Sequence, residues 1–384
     1  MRRLWIILSL LALSGIFCSA QAAKEGFVCG DYVYEIGRAE GYEGTAVVTE
    51  YIGSDAHVVI PSELDGYPVS SFQPSVFSGN STLVSIEIPE GVRSTGWYAF
   101  NECTALASAV IPGSFEIIPI GMFNECAALS DITISEGICA IEEEAFKGCT
   151  SLKNIALPDS VTYIGKEAFG GCDSLQSIKI PQGVSEIDTR VFMGCTSMRT
   201  AELPDSIVSI GPYAFSGCSS LMYVKIPNNT ATIGTCAFMS CTSMSSVDLP
   251  ERLERIGESA FGGCSSLNSV VIPSSVTEIG KFAFGSCKGL TTIELSDSIT
   301  VLRFGVFNRC SSLYSADLPM NLTHIEESAF GNCTAMRSIS IPDSVTNIHP
   351  EAFEGCADDF AIKSSQDSYA AQWAAEAGIP CKNP

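Results

Sequence analysis

The sequence is poor in basic residues and in histidine. It has 21 Lys and Arg, 3 His and 43 Asp and Glu among 384 residues, with a net charge of −22. A surface of this sign repels phosphate groups, so we expect no nucleic-acid partner and no basic patch for anionic lipid. Solubility and a general attraction for cations are the simplest interpretation of the acidic excess.

Catalytic motifs are missing as well. The sequence contains no H-E-x-x-H motif, no G-x-S-x-G motif and no phosphate-binding glycine loop. His57, His324 and His349 fall in the N-terminal region or at outward repeat positions, where a general base has nothing to act on. The acids at 142–144 are interpreted as solvated. We therefore predict a protein that is not an enzyme and that binds no cofactor and no metal.

No apolar run of membrane-spanning length is present. The run over 4–17 follows two arginines, is short for a span, and precedes an A-x-A site at 20–22, so residues 1–22 are predicted to be a cleaved signal peptide. Lipidation of Cys18 is an alternative, although Phe17 fits poorly where processing requires a small residue. We expect the mature chain to be secreted or held at the cell surface.

One stretch is instead repeated along most of the chain. Phenylalanine recurs every 23 residues without insertion or deletion, at Phe77, Phe100, Phe123, Phe146, Phe169, Phe192, Phe215, Phe238, Phe261, Phe284, Phe307, Phe330 and Phe353. A period of this length is typical of a solenoid, in which each repeat forms one coil and stacks on its neighbours. The phenylalanines should then form a continuous column, in which Phe215→Ala in a central coil costs about 3–5 kcal/mol of stability and Phe77→Ala at the end costs less.

The spacing within one repeat predicts the shape of a coil. Leu175, Ile178 and Ile180 alternate inward on a short strand that a proline ends, and Ile187 points inward from the opposite side. Residues 165–172 have the apolar spacing of one helical or 3-10 turn. Strands of successive coils should pair about 4.8 Å apart as a parallel sheet.

Both flanks of the array lack the period and are predicted to be caps. A solenoid needs them because its end coils would otherwise expose apolar side chains and unpaired strand edges. The segment 368–377 is predicted to be a helix on which Tyr369, Trp373 and Ala377 share the face that covers the last coil. The predicted organisation is a signal peptide, an N-terminal β cap, the repeats and a C-terminal cap, over 1–22, 23–59, 60–356 and 357–384.

The repeat unit is C-x-x-L-x-x-I-x-[IL]-P-x-x-V-x-x-I-G-x-x-A-F-x-x, and it resembles the BspA-type (Treponema pallidum type) leucine-rich repeat. The resemblance covers 60–356 and includes the flanking segments 65–69 and 378–380. It implies a horseshoe-like, strand-rich leucine-rich-repeat solenoid with short helical or 3-10 turns. It also implies a secreted or surface protein of a host-associated microbe, often linked to adhesion, but it assigns no binding residue.

The sequence has 17 cysteines, which in an exported chain suggests disulfides. Twelve of them follow the repeated phenylalanine by three residues, so they form a column in which each thiol has two equal neighbours. Parallel Cβ directions disfavour the disulfide dihedral, and buried free thiols are the favoured interpretation, with bridging along the column as the alternative. A column also does not provide the tetrahedral ligands of a zinc site.

The candidate binding site is the exposed side of the strands. Its outward positions vary freely, and neighbouring columns carry Tyr and Arg, which are enriched where proteins dock. The candidate residues are Lys179, Arg199, Glu202, Tyr223, Lys225, Asp248, Tyr314 and Arg337. We expect a monomer that binds a protein or glycan partner on this concave face. The alternatives are that the alternating charges only support the sheet, or that the array is a structural spacer.

Overall fold

The computed structural model describes residues 26–383, so the predicted signal peptide and Cys18 lie outside the described residues. The first strands are β1 (Phe27–Cys29), β2 (Tyr32–Ile36), β3 (Ala46–Tyr51), β4 (His57–Val59), β5 (Glu63–Leu64), β6 (Tyr67–Phe72), β7 (Ser85–Glu87), β8 (Ser108–Ile111), β9 (Ile117–Ile118), β10 (Asp131–Ile134), β11 (Ala140–Ile141), β12 (Tyr163–Ile164), β13 (Ser177–Lys179), β14 (Glu186–Ile187) and β15 (Thr200–Glu202). The later elements are β16 (Ser209–Ile210), β17 (Tyr223–Lys225), β18 (Thr232–Ile233), β19 (Ser246–Asp248), β20 (Arg255–Ile256), β21 (Ser269–Val271), β22 (Glu278–Ile279), β23 (Thr292–Glu294), β24 (Val301–Leu302), β25 (Ser315–Asp317), β26 (His324–Ile325), β27 (Ser338–Ser340), β28 (Asn347–Ile348), β29 (Ala361–Lys363), helix α1 (Tyr369–Ala377) and β30 (Cys381–Lys382).

Two ladders of short strands run along opposite sides of the array. The strand face is the side formed by β4, β7, β8, β10, β13, β15, β17, β19, β21, β23, β25, β27 and β29, and the second face is formed by β9, β11, β12, β14, β16, β18, β20, β22, β24, β26 and β28. Pairing is parallel, and paired residues are 23 apart in sequence, as in Ile178 with Ala201 and Ile210 with Ile233, except that β4 and β7 pair 28 residues apart. The predicted parallel-strand solenoid of 23-residue repeats is therefore confirmed.

The phenylalanines form the predicted column, and both ends of the column are covered. Ring centroids of successive phenylalanines lie between 5.1 and 5.9 Å apart, with the rings nearly parallel. Tyr51 of the N-terminal cap lies 4.8 Å from Phe77, and Phe360 and Trp373 lie 5.1 and 5.9 Å from Phe353. Phe77 is only 2% exposed. Phe77 therefore has an aromatic neighbour on each side, because the cap supplies the one that no preceding coil provides.

The segment predicted as a helical or 3-10 turn consists of overlapping four-residue turns. The N–H groups of Ala168, Gly170 and Cys172 each donate to the carbonyl three residues earlier, as they would in a 3-10 helix. Glu167, however, has a φ of 55°, in the left-handed region, which interrupts any helix. The N–H of Phe169 instead donates to Val191 O of the next coil at 2.9 Å. The turns therefore also tie neighbouring coils together.

Each cap has the predicted strand or helix content. Strands β1, β2 and β3 are antiparallel neighbours, and β3 continues in parallel with β6. At the other end, Ser368 Oγ accepts from the N–H of Ala371 at 3.1 Å and caps α1. The buried residues of α1 are Ala370, Trp373 and Ala374, whereas Ala377 is exposed. Tyr369 is also exposed, so the predicted helix face is correct for Trp373 and wrong for Tyr369 and Ala377.

The strand face is interrupted between β10 and β13. Residues 153–157 form no strand, although their sequence follows the repeat. Ile155 and Leu157 are only half-buried there, and a cleft of about 280 Å³ runs beside them. Nothing in the structure explains the break. The strand pairing of this face is also interrupted between β15 and β17, between β19 and β21, and between β25 and β27.

Candidate functional site

All eight candidate residues are exposed on the strand face or directly beside it. The strand register brings several of them together in the middle of the array. Lys179 of β13 is opposite Glu202 of β15, and Lys225 of β17 is opposite Asp248 of β19. Arg199 lies directly before β15. These side chains occupy four consecutive coils and form a contiguous polar surface.

The alternating charges of this surface do not form direct ion pairs. Among the ion pairs of residues 26–383, none includes Lys179 or Lys225. Tyr223 Oη instead donates to Asp248 Oδ2 at 2.7 Å. This hydrogen bond, with partial burial, raises the pKa of Tyr223. No carboxylate of residues 26–383 therefore lies at ion-pair distance from either ammonium group.

Tyr314 and Arg337 lie farther along the same face. Arg337 Nη1 forms an ion pair with Asp359 Oδ2, while Tyr314 is 57% exposed. Tyr314 borders a shallow groove of about 660 Å³ together with Met320, which is 70% exposed, and Lys363. Sequence reasoning missed Met320. Its signal was a large apolar side chain at a position after the strand that other repeats fill with polar residues.

The prediction that the acids at 142–144 are solvated is wrong for Glu143 and Glu144, which form ion pairs. Glu167, which is 7% exposed, accepts from Lys147 Nζ at 2.8 Å and from Arg190 Nη1 at 3.1 Å. Lys147 also contacts Glu144 at 2.8 Å, and Lys166 contacts Glu143 at 2.8 Å. The turn side of three consecutive coils therefore carries an ion-pair network. Its position, away from the strand face, indicates a structural role in holding these coils together.

The cysteine column consists of thiols that donate to the backbone. Cys218 Sγ, for example, lies 3.2 Å from Phe192 O, and the same contact recurs from Cys103 to Cys356. Burial raises the pKa of Cys218 to about 12. A thiol with this pKa stays protonated at neutral pH and is a poor nucleophile and a poor metal ligand. In the described part of the chain, no group of three or more His, Cys, Asp or Glu residues could hold a metal ion.

The fold and the exposed strand face define a leucine-rich-repeat solenoid with a surface that is open to a partner. Residues 57–155, 139–250 and 231–358 match the BspA type leucine rich repeat region in six copies. The chain therefore belongs to the BspA-type leucine-rich repeat family, as the resemblance in the sequence indicated. Among residues 26–383, no helix has the length and apolarity needed to cross a membrane.

Several solved structures are similar to this chain. A leucine rich cell surface protein from Faecalibacterium prausnitzii is 30% identical, with 93% of this chain and 98% of that chain covered and a TM-score of 0.56. A leucine-rich repeat protein from Bacteroides ovatus is 26% identical over 93% and 99% of the two chains, with a TM-score of 0.64. The pneumococcal vaccine antigen PcpA, at 17% identity, 95% and 100% coverage and a TM-score of 0.51, shares the fold. No curated protein matches the sequence.

Proposed function

We propose that the protein is an exported, non-catalytic binding protein, with an adhesin-like role, that engages a protein or glycan partner through its strand face. The observation that carries the proposal is the exposure of Arg199, Tyr223, Tyr314 and Arg337 along one side of a rigid array. Tyr and Arg dominate the binding energy of many protein interfaces. The predicted signal peptide at 1–22 supports export, and the similarity to a cell surface protein supports a surface location.

The apolar side chains of the strand face support a large partner. Met222, Val271 and Met320 are 51%, 61% and 70% exposed, in addition to the two tyrosines. Exposed apolar side chains surrounded by polar ones mark sites of protein interaction. The exposed set extends over many coils, so it suits a macromolecule better than a small substrate. We propose that the protein binds its partner as a monomer whose strand face is uncovered.

A structural role as a spacer is the second candidate. It is supported by the aromatic column, which continues without a break from Tyr51 to Trp373. In a solenoid each coil packs only on its neighbours, so this column joins the two caps through every coil of the array. A spacer would need its two ends, rather than its strand face, to contact other components.

The two functions are separated by a binding screen with the purified mature chain. The probes are a glycan array and a panel of immobilised extracellular-matrix glycoproteins. A binding protein is expected to give saturable binding to at least one probe, and that probe should compete with labelling of Lys179 and Lys225 by an amine-reactive reagent. A spacer is expected to give no saturable binding, or binding that leaves the labelling of these two lysines unchanged.

A further inference from the structure

A second cleft lies beside the N-terminal cap, away from the strand face. It has a volume of about 270 Å³, near the lower end of the range of small-molecule sites, which is about 300–1,000 Å³. One wall is the cap loop that carries Tyr42, and the other walls come from the first coils of the second face. The polar and aromatic lining includes Tyr42, Arg93, Trp97, Glu116 and Glu142.

The cleft exists because the second face is open at this point. Strand β9 pairs with β11, but in the described part of the chain no strand pairing joins it to the preceding coil, where Ser94 bridges back to Ser71. In a regular coil the N–H of Gly165 donates to Ile141 O of the previous coil at 2.7 Å. The equivalent residue here is Pro119, which has no N–H to donate. The strand hydrogen bond between these two coils is therefore missing here, although Ser114 Oγ donates to Val92 O at 2.6 Å and the N–H of Tyr98 donates to Ile120 O at 2.9 Å.

A second departure from the repeat enlarges the gap. Thr95 occupies the position that a buried isoleucine fills in the later coils, such as Ile164 and Ile187. Thr95 lines the cleft and is only 3% exposed, and its Oγ1 has no hydrogen-bond partner in the protein. A buried hydroxyl without a partner is unfavourable, so its retention at a core position calls for an explanation.

The wall formed by the cap is held rigidly. Arg93 Nη1 donates to Gly41 O at 3.0 Å, and Thr45 Oγ1 donates to Tyr42 O at 2.6 Å. Burial raises the pKa of Tyr42, with Arg93 acting in the opposite sense and Glu116 in the same sense, so the phenol lies near both charges. The hydrogen bond from Arg93 thus joins the cap loop to the coils that form the other walls of the cleft.

We propose that this cleft binds the neutral terminal sugar ring of a glycan. The indole of Trp97, which is 45% exposed, offers a flat apolar surface to the C–H face of a pyranose ring. The carboxylates of Glu116 and Glu142 accept hydrogen bonds from sugar hydroxyls, and the guanidinium of Arg93 donates to them. Arg93 and the two glutamates together offer hydrogen-bond donors and acceptors, and a neutral polyol, whose hydroxyls both donate and accept, matches this lining.

The proposal is tested by titrating the mature chain with the methyl pyranosides of glucose, galactose, mannose, fucose and N-acetylglucosamine, using saturation-transfer NMR. Saturable binding of at least one sugar is expected, and Trp97→Ala should raise its Kd at least ten-fold. The matched control is Tyr314→Ala, which removes an exposed aromatic ring from the strand face and should leave the Kd unchanged. A loss of partner binding at the strand face would not affect this result.

A second variant guards against a folding defect in Trp97→Ala. Thr95→Ile restores the residue of the later coils, so it should raise the melting temperature while weakening sugar binding at least three-fold, since it fills the floor of the cleft. The proposal is overturned if none of the five sugars binds saturably, or if binding survives Trp97→Ala in a folded protein. Saturable binding of tetramethylammonium in place of the sugars would also overturn it and would identify a cation site.

Discussion

Phe215 and Phe238 lie one above the other in the centre of the array, with ring centroids 5.3 Å apart and ring planes only 1° from parallel. Each ring is fully buried and contacts the same ring of the coil before and after it. The core is thus a one-dimensional stack, in which stability depends on contacts between nearest neighbours. The stack ends on aromatic residues of the caps and not on solvent.

The first prediction concerns this stack. Phe215→Ala should lower the free energy of unfolding by about 3–5 kcal/mol, because it leaves a cavity between two rings. Phe77→Ala should cost a similar amount, since Tyr51 covers its outer side at 4.8 Å. Denaturant unfolding of both variants measures this, with the exposed Tyr163→Ala as control. A much smaller loss at Phe77 would show that the cap does not act as a neighbouring coil.

The second prediction concerns the cysteine column. In the folded protein at pH 8 these thiols should not react with an alkylating reagent, because burial raises their pKa, to about 12 for Cys172 and Cys218. The exposed Cys381 should react and serves as the internal control. After denaturation without reductant, thiol counting should find mostly free thiols. A denatured chain with almost no reactive thiol would mean that the column is oxidised, contrary to the geometric argument.

The third prediction concerns the ion-pair network around Glu167. Burial alone would raise the pKa of Glu167, but the hydrogen bonds from Lys147 and Arg190 outweigh it and lower the pKa below its usual value. Since the folded-state pKa is the lower one, the carboxylate contributes stability that is fully present above about pH 5 and is lost as the pH falls through the folded-state pKa. Glu167→Gln should cost about 1–3 kcal/mol at pH 7.

This variant should also show a weaker loss of stability than the wild type between about pH 5 and pH 3. Unfolding midpoints measured across that range provide the test. The matched control is Glu278→Gln, whose partner Arg303 lies 3.1 Å away in an exposed pair, and it should cost less than about 1 kcal/mol. Parallel pH profiles for wild type and Glu167→Gln would contradict the assigned role of Glu167.

The periodic part of the structure could be predicted from the sequence because, in a strict repeat, each position has nearly the same neighbours in every coil. Leu175, Ile178 and Ile187 are buried, as are most of the residues at the equivalent positions of other coils. The column of phenylalanines follows directly from the 23-residue spacing of the phenylalanines. The strand face could be located in the same way. Its charged residues are exposed on the strand face, but the hydrogen bond from Tyr223 to Asp248 depends on side-chain reach between strands, which spacing alone does not give.

The features that could not be predicted lie where the period is broken. Tyr51 and Tyr42 belong to the cap, which has no repeat to align, so their contacts with Phe77 and with the second cleft had no signal in the sequence. The left-handed conformation of Glu167 is adopted at the same repeat position by residues of other types, such as Tyr213 and Ser259. The residue type at this position therefore did not predict the conformation or the ion-pair network around Glu167. Thr95 and Pro119 did carry a signal, as departures from the isoleucine and glycine of later coils.

The proposal that the strand face binds a partner is tested most directly by one affinity measurement. The Kd for a partner found in the binding screen is compared between the wild type and the double variant Arg199→Ala with Tyr223→Ala. We predict a rise in Kd of at least ten-fold, about 1.4 kcal/mol, with a melting temperature within about 2 °C of the wild type. An unchanged Kd in this variant, together with a loss of binding on Tyr163→Ala at the second face, would contradict it.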